Sequence, residues 1–147
     1  KEEIIMVKQL SVFIENKPGR LMEVLQALAE KNIDIKALSL ADTTEFGIIR
    51  MVVSNAEAAK EALNENGVIV RICNVLAVAV NDEPGALMKT FAVLSDNKIS
   101  VEYMYAFGEK LKNSSVIAIR TDNPELAEEK LSDGGVTVLE HDDIAEM

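Results

Sequence analysis

The stretch "IENKPGRL" (residues 14–21) joins an apolar run to a helical pattern through a short polar loop and a Pro-Gly pair. "VNDEPGAL" (residues 80–87) does the same, at an offset of 66 residues. Pro-Gly marks a turn, and a proline suits a first helical turn, where its missing N–H costs nothing. Each stretch therefore predicts a strand-to-helix corner, and the recurrence decides the fold. At that offset Leu21-Met22 falls on Leu87-Met88, Leu28 on Leu94, Ile33 on Ile99 and Ile35 on Val101. Farther along the offset becomes 68. Ser54 and Glu57 then meet Asp122 and Glu125, Leu63 meets Leu131, and Gly67-Val68 meets Gly135-Val136. The two extra residues lie in "ADTTEFG" (41–47) and "AFGEKLKNSS" (106–115), where a hairpin tip tolerates them.

Each copy reads as strand, helix, strand, strand, helix, strand. "LSVFI" (10–14) and "LAVAV" (76–80) are short and β-branched or small, as strands are. Leu21, Met22, Leu25, Leu28 and Ala29 recur at helical spacing, and Leu87, Met88, Phe91 and Leu94 repeat that stripe. "IDIKALSL" (33–40) and "ISVEYMYA" (99–106) begin with alternation, and "GIIRMVV" (47–53) and "SVIAIR" (115–120) supply third strands. Ser54 and Asp122, each with Glu three residues on, have capping-box spacing. Gly67 and Gly135 are placed to stop the second helices.

The order βαββαβ gives an α+β fold: two ferredoxin-like units, each with its helices on one face of antiparallel strands. A unit of about 70 residues is marginal alone, so the two are expected to form one shared antiparallel sheet that removes an edge from each. The domain division expected is residues 1–72 and 73–147. No flexible linker separates them, because "VIVRICNVLAVAV" (68–80) runs on with Asn74 as its one turn-former. On the face away from the helices, Lys36, Arg50, Glu102 and Arg120 are the polar residues expected, with Phe13, Ala77 and Ala79 among them. That mixture suits solvent or a modest interface between chains, and the reading leans toward a homodimer.

Composition narrows the function. The chain has 147 residues, 48% hydrophobic and 27% charged, with a net charge of −10. Such acidity repels phosphate backbones and anionic lipid, and no basic patch offsets it, so neither nucleic acid nor membrane is expected as a partner. "KEEIIM" (1–6) shows neither a basic leader nor a long apolar segment, so no secretory signal is expected. Cys73 and His141 are each the only residue of their type. That excludes an internal disulfide and a zinc-type metal site, and fits a reducing cytoplasm. An enzyme needs a nucleophile, base or metal in a constellation. Cys73 lies in an apolar strand run and His141 in the acidic tail "EHDDIAEM" (140–147), so inert packing and a solvated or frayed tail are expected. Tyr103, Met104 and Tyr105 would be base-stacking candidates, but with 4% aromatic residues and no basic interleaving, core packing is expected. Neither catalysis nor a cofactor is expected.

The corner itself has chemistry. A helix start leaves backbone donors without intrahelical partners, here those of Gly19, Arg20 and Leu21. Together with the helix dipole they favour an anion such as a carboxylate. Gly19 leaves room for close approach, and Asn16 both donates and accepts. Asp34, at the start of the next strand, offers a negative charge for an ammonium group. A donor cluster and an acid suit the two ends of a free amino acid. Taken alone, however, Pro18-Gly19 reads first as an ordinary turn and helix start.

"ENKPGRLMEVLQALAEKNIDI" (15–35), within the βαββαβ order, resembles the ACT domain, and "NDEPGALMKTFAVLSDNKISV" (81–101) fits the same pattern. The resemblance covers nearly the whole chain as two tandem copies without a catalytic domain. It implies a regulatory, amino-acid-binding module that serves an enzyme of amino-acid metabolism. It also implies side-by-side pairing of units into an eight-stranded sheet, with effectors at the seam. In serine-responsive members the loop position matching Asn16 is Asn. The position matching Asp34 is Asn there, and a loop His is replaced here by Ile14, which tilts the expected ligand toward an apolar amino acid. Ile14, Ile35 and Leu38 make a branched-chain or aromatic one the first expectation. The ligand-binding candidates are Asn16, Lys17, Pro18, Gly19, Arg20, Leu21, Asp34 and Ile35. In the second copy they are Asp82, Pro84, Gly85, Ala86, Leu87 and Ser100. Lys17 and Arg20 flank the first helix start while Asp82 and Glu83 flank the second, so the first corner is expected to be the better anion site. The resulting expectation is a non-catalytic sensor acting on a partner enzyme or transporter in trans. The alternative is a protein-interaction subunit whose corners are only structural.

Overall fold

The structure, a computed structural model, describes residues 6–42 and 45–147. The opening residues 1–5 and the Thr43-Thr44 part of the first hairpin tip lie outside the described residues. Two compact units are present, Lys8–Cys73 and Asn74–Met147, the latter joined by Met6 and Val7.

In the first unit, β1 (Val7–Glu15) leads into α1 (Arg20–Glu30), then β2 (Ile35–Asp42), β3 (Phe46–Val53) and α2 (Ala56–Glu65). The strand β4 (Ile69–Asn81) closes that unit and opens the next. The second unit continues with α3 (Ala86–Asp96), β5 (Val101–Ala106), β6 (Ser114–Thr121), α4 (Pro124–Asp133), β7 (Thr137–Leu139) and the short α5 (His141–Ala145). Neighbouring strands run β2-β3-β1-β4 in the first unit and β5-β6-β4-β7 in the second. The registered pairs are antiparallel, as in Leu10 opposite Met51 and Leu76 opposite Ile119. This is the expected pair of βαββαβ units. The resemblance implied eight strands; among the described residues seven form, because the closing strand of one copy and the opening strand of the other are a single β4. A lone Asn74 without Gly or Pro beside it does not break an otherwise β-prone run.

Helices cover one face of each unit because strand residues alternate. Leu10 and Val12 of β1 and Ile49, Met51 and Val53 of β3 meet Val24 and Leu28 of α1 and Ala59 and Leu63 of α2. In the second unit Leu76, Val78, Ile117 and Ile119 meet Leu94, Ala127 and Leu131. The buried stripe of α1 is Val24, Ala27 and Leu28, so it keeps Leu28 of the expected one but is rotated away from Met22 and Ala29. Met22 and its repeat Met88 are each 65% exposed. Apolar spacing says that a face exists, and neighbouring strands decide which residues it contains.

The second helices also start one residue later than their capping-box spacing predicts. Asn55 and Asn123 are the N-caps, accepting from the amides of Ala58 at 3.1 Å and Leu126 at 3.2 Å. Ser54 and Asp122 turn the other way, accepting from the amides of Asp34 at 3.0 Å and Ser100 at 3.1 Å. They pin the start of the second strand in each unit. The first helices end on Asn32 (φ 55°) and Lys98 (φ 57°), and Gly67 and Gly135 end the second, all left-handed.

The tail, expected to be solvated or frayed, folds into the short α5 with His141 in solvent. Asp143 Oδ2 accepts from the Glu140 amide at 2.8 Å at the start of α5, and Ile144 is buried.

Candidate functional site

The corner between β1 and α1 is a tight turn. The Arg20 amide donates to the Lys17 carbonyl at 3.3 Å, with Pro18 and Gly19 at its centre. Gly19 has φ 89° and ψ −13°, the values of the third residue of a type II turn, which glycine tolerates best. Pro18 accordingly precedes the helix instead of occupying its first turn, and Gly19 is the N-cap. Between β4 and α3 the Ala86 amide donates to the Glu83 carbonyl at 3.2 Å, and Gly85 has φ 87° and ψ −12°. The two backbones are the same device.

Of the three expected donors, the Arg20 amide is taken by the turn. Those of Gly19 and Leu21 carry no protein hydrogen bond among the described residues, and neither does that of Met22. A Cβ placed on Gly19 or Gly85 would meet nothing within 4 Å. Space beside each corner is therefore open, and the free donors face no protein acceptor.

Side chains make the corners different. Asn16 Nδ2 donates to Asp42 at 3.3 Å, Lys17 pairs with Glu15 at 2.9 Å, and Arg20 pairs with Glu23 at 2.9 Å. Each polar group of the first corner thus already faces a carboxylate. The hydrogen bond from Lys17, and then its charge, holds the Glu15 carboxyl below the ordinary value; partial desolvation opposes this and the Arg20 charge assists. At the second corner Asp82 pairs with Lys110. Both members of each pair are substantially exposed, so the pairs are weak and open to exchange.

Asp34 and Ser100 are not beside the corners of their own units. The 11 residues of α1 separate Gly19 from Asp34, a rise of about 16 Å, and the 11 of α3 separate Gly85 from Ser100 in the same way. The Asp34 carboxylate pairs with Lys36 at 3.0 Å. Ile35 is half-buried against the first core, Leu21 is half-buried there too, and Leu87 is exposed. Within one unit, then, the carboxylate-binding and ammonium-binding groups do not meet.

A concavity does adjoin the first corner. A cleft of about 320 Å³ lies between the first turn of α1, the end of β1 and the bend from α2 into β4. Phe13, Ile14, Val24, Phe46 and Ile69 form its apolar lining, with Glu15, Arg20 and Glu23 at its charged side. Asn16 and Lys17 border a more open hollow beside Glu45 and Phe46. Ile14 and Arg20 were legible as candidates, whereas Phe46 and Ile69 were not. The signal that reveals them is the offset of 68, which sets Phe46 against Ser114 and Ile69 against Thr137.

The remaining reactive side chains are packed or solvated. The Gln9 Nε2 group donates to Cys73 Sγ at 3.2 Å, and Cys73 is half-buried. His141 is exposed; of the run expected in the core Tyr105 is buried, whereas Met104 is 40% exposed and points away from it. No group of three or more His, Cys, Asp or Glu able to hold a metal ion occurs among the described residues. Among them also, no helix is long and apolar enough to cross a membrane.

Residues 5–147 match the family model described as an ACT domain pair. No curated protein matches the chain. The crystal structure of protein BT0572 from Bacteroides thetaiotaomicron is 38% identical, over 97% of this chain and 98% of that one, with a TM-score of 0.90. The ligand-free regulatory subunit of aspartate kinase from Thermus thermophilus is 19% identical, over 88% and 93% of the two chains, with a TM-score of 0.64. The corresponding subunit from Thermus flavus is 18% identical, over 90% and 94%, with a TM-score of 0.60. These last two share the fold. With the repeated corner, the paired βαββαβ units and a family match across nearly every residue, the chain belongs to the ACT domain pair family.

Proposed function

We propose that this chain is a non-catalytic cytoplasmic sensor that binds a branched-chain or aromatic amino acid and acts in trans on an enzyme or transporter of amino-acid metabolism. The observation that carries the reading is the first corner: free amides at Gly19 and Leu21 beside open space. Backbone donors at a helix start favour a carboxylate. Lys17 and Arg20 add positive charge, and their exposed partners Glu15 and Glu23 are readily exchanged for a ligand. The Thermus proteins of this fold are regulatory subunits of aspartate kinase, which supports a regulatory role by analogy of fold. The ligand acts by binding two arrangements of the protein with different affinity, which is what shifts a partner's state.

The first corner binds more tightly than the second, where Asp82 and Glu83 repel a carboxylate. Thermal-shift measurements with the twenty amino acids test the reading, since a ligand of the folded state raises the melting temperature. An apolar amino acid is expected to raise it, and Gly19→Leu to abolish the rise. Two equal sites by calorimetry, or binding lost only on changing Gly85, contradicts the asymmetry.

A second reading, a protein-interaction subunit whose corners are structural, is favoured by the 65% exposure of both Met22 and Met88. It is preferred if no amino acid shifts the melting temperature at millimolar concentration and Gly19→Leu leaves partner binding intact.

A further inference from the structure

The cleft of the first unit has walls that its fold does not require. Phe13 is 36% exposed, Phe46 57% and Ile69 66%, and all three line the same concavity. The Arg71 guanidinium lies over the Phe13 ring at 5.8 Å, and large, partly exposed apolar groups around a hollow with a charged rim fit a binding surface.

The duplication supplies an internal control. Glu15 stands opposite Phe46 in the ladder of the first unit, and Asn81 stands opposite Ser114 in that of the second. The registers coincide, so residues can be matched one for one. Where the first unit has Phe13, Phe46 and Ile69, the second has Ala79, Ser114 and Thr137. Two further lining residues differ as well: the buried Val24 is matched by Thr90, and Arg20 by Ala86. The second unit builds the same strands, corner and helices without any of these groups. Phe13, Phe46 and Ile69 are therefore not demanded by the scaffold, whereas Val24 belongs to the first core.

We propose, resting on the amino-acid-sensing reading above, that this cleft receives the apolar side chain of the ligand, and that Phe46 and Ile69 set its specificity. The occupant is a single small zwitterion carrying an aromatic or branched hydrocarbon group. A volume of about 320 Å³ is at the low end for small-molecule pockets and too small for a folded partner element. The charged rim has both signs, Arg20 for a carboxylate and Glu15 and Glu23 for an ammonium group. A polar amino acid would leave Phe46 and Ile69 in water and gain nothing from them.

The decisive variant is Phe46→Ser with Ile69→Thr in the full chain, which installs the residues that the second unit tolerates at the same register. Circular dichroism checks its fold, and Phe46→Ser alone serves if the pair does not fold. Calorimetry with L-phenylalanine and L-leucine is expected to show binding to the parent protein and binding weaker by about tenfold or more in the variant. Equal binding to both proteins overturns the cleft while leaving the sensor reading in place. If neither amino acid binds the parent protein, the sensor reading falls, and the cleft is judged by amide chemical shifts on adding phenylacetate. Shifts centred on Arg20, Phe46 and Ile69 then support it, and their absence overturns it. A change in oligomeric state of the variant, with ligand binding unaltered, assigns the surface to a second copy of the chain and also overturns the proposal.

Discussion

At the first corner Lys17 and Arg20 surround the turn and hold Glu15 and Glu23; at the second Asp82 stands in the place of Asn16 and is held by Lys110. The backbone beneath is nonetheless common, with Gly19 at φ 89° and Gly85 at φ 87°. Pro-Gly and the strand register fix the path of the chain, and they leave the neighbouring side chains free to take opposite charge. A duplicated unit thus separates what the fold demands from what a ligand would demand. Shared features such as the turn, the caps and the pinned strand starts belong to the first kind. Differences such as Arg20 against Ala86 and Phe46 against Ser114 are outside what the fold demands.

The equivalence of scaffolds can be broken most forcefully in the cores. Leu28 and Leu94 occupy matching positions on the helices after the corners and are both about 1% exposed. Leu28→Ala and Leu94→Ala are each expected to destabilise by about 2–5 kcal/mol, read as matched falls in the urea midpoint. A large inequality would mean that the helices are not equivalent. Next come the turns. Because a Cβ at Gly19 or Gly85 meets open space, Gly19→Ala and Gly85→Ala carry only the conformational cost of a left-handed residue, about 1–2 kcal/mol each. A much larger loss at one corner would show hidden packing there. The caps follow, with Asn55→Ala and Asn123→Ala each expected to cost about 1 kcal/mol in equilibrium unfolding.

The smallest effect concerns titration and belongs to one corner alone, since the residue matching Glu15 is Asn81. The Glu15 pKa is lowered in the folded state from its ordinary value of 4.5, chiefly by the Lys17 hydrogen bond. A group whose folded pKa is depressed contributes stability above the unfolded value, and that contribution is lost as pH falls through the lower folded one. Lys17→Met is expected to raise the Glu15 pKa in a carboxyl NMR titration and to remove this part of the acid sensitivity below pH 4.5. An unmoved Glu15 titration in the variant would show that Lys17 is not its controlling partner.

The fold was legible because two kinds of periodicity appear twice, and chance rarely repeats both in register. Details that depend on distant residues were not. Ser54 and Asn55 are both good caps, and the choice between them was made by the amide of Asp34, 20 positions away. Met22 has the right spacing for a buried stripe yet points outward. The pairs Asn16–Asp42 and Asp82–Lys110 span 26 and 28 residues, and no local pattern announces them. At the candidate site the turn and its open glycine were readable. The separation of Asp34 from Gly19 follows from helix length and was equally available, but the charged ends of a hypothetical ligand drew the two together.

The continuous strand β4 has a consequence for how such a protein can be rearranged. Insertions and chain breaks succeed at exposed loop tips, yet the border between the copies, Cys73 to Asn74, falls inside a strand of 13 residues. A gene split there would sever a β-ladder instead of a tether. Separating the copies at that point therefore cuts a strand that both of them use.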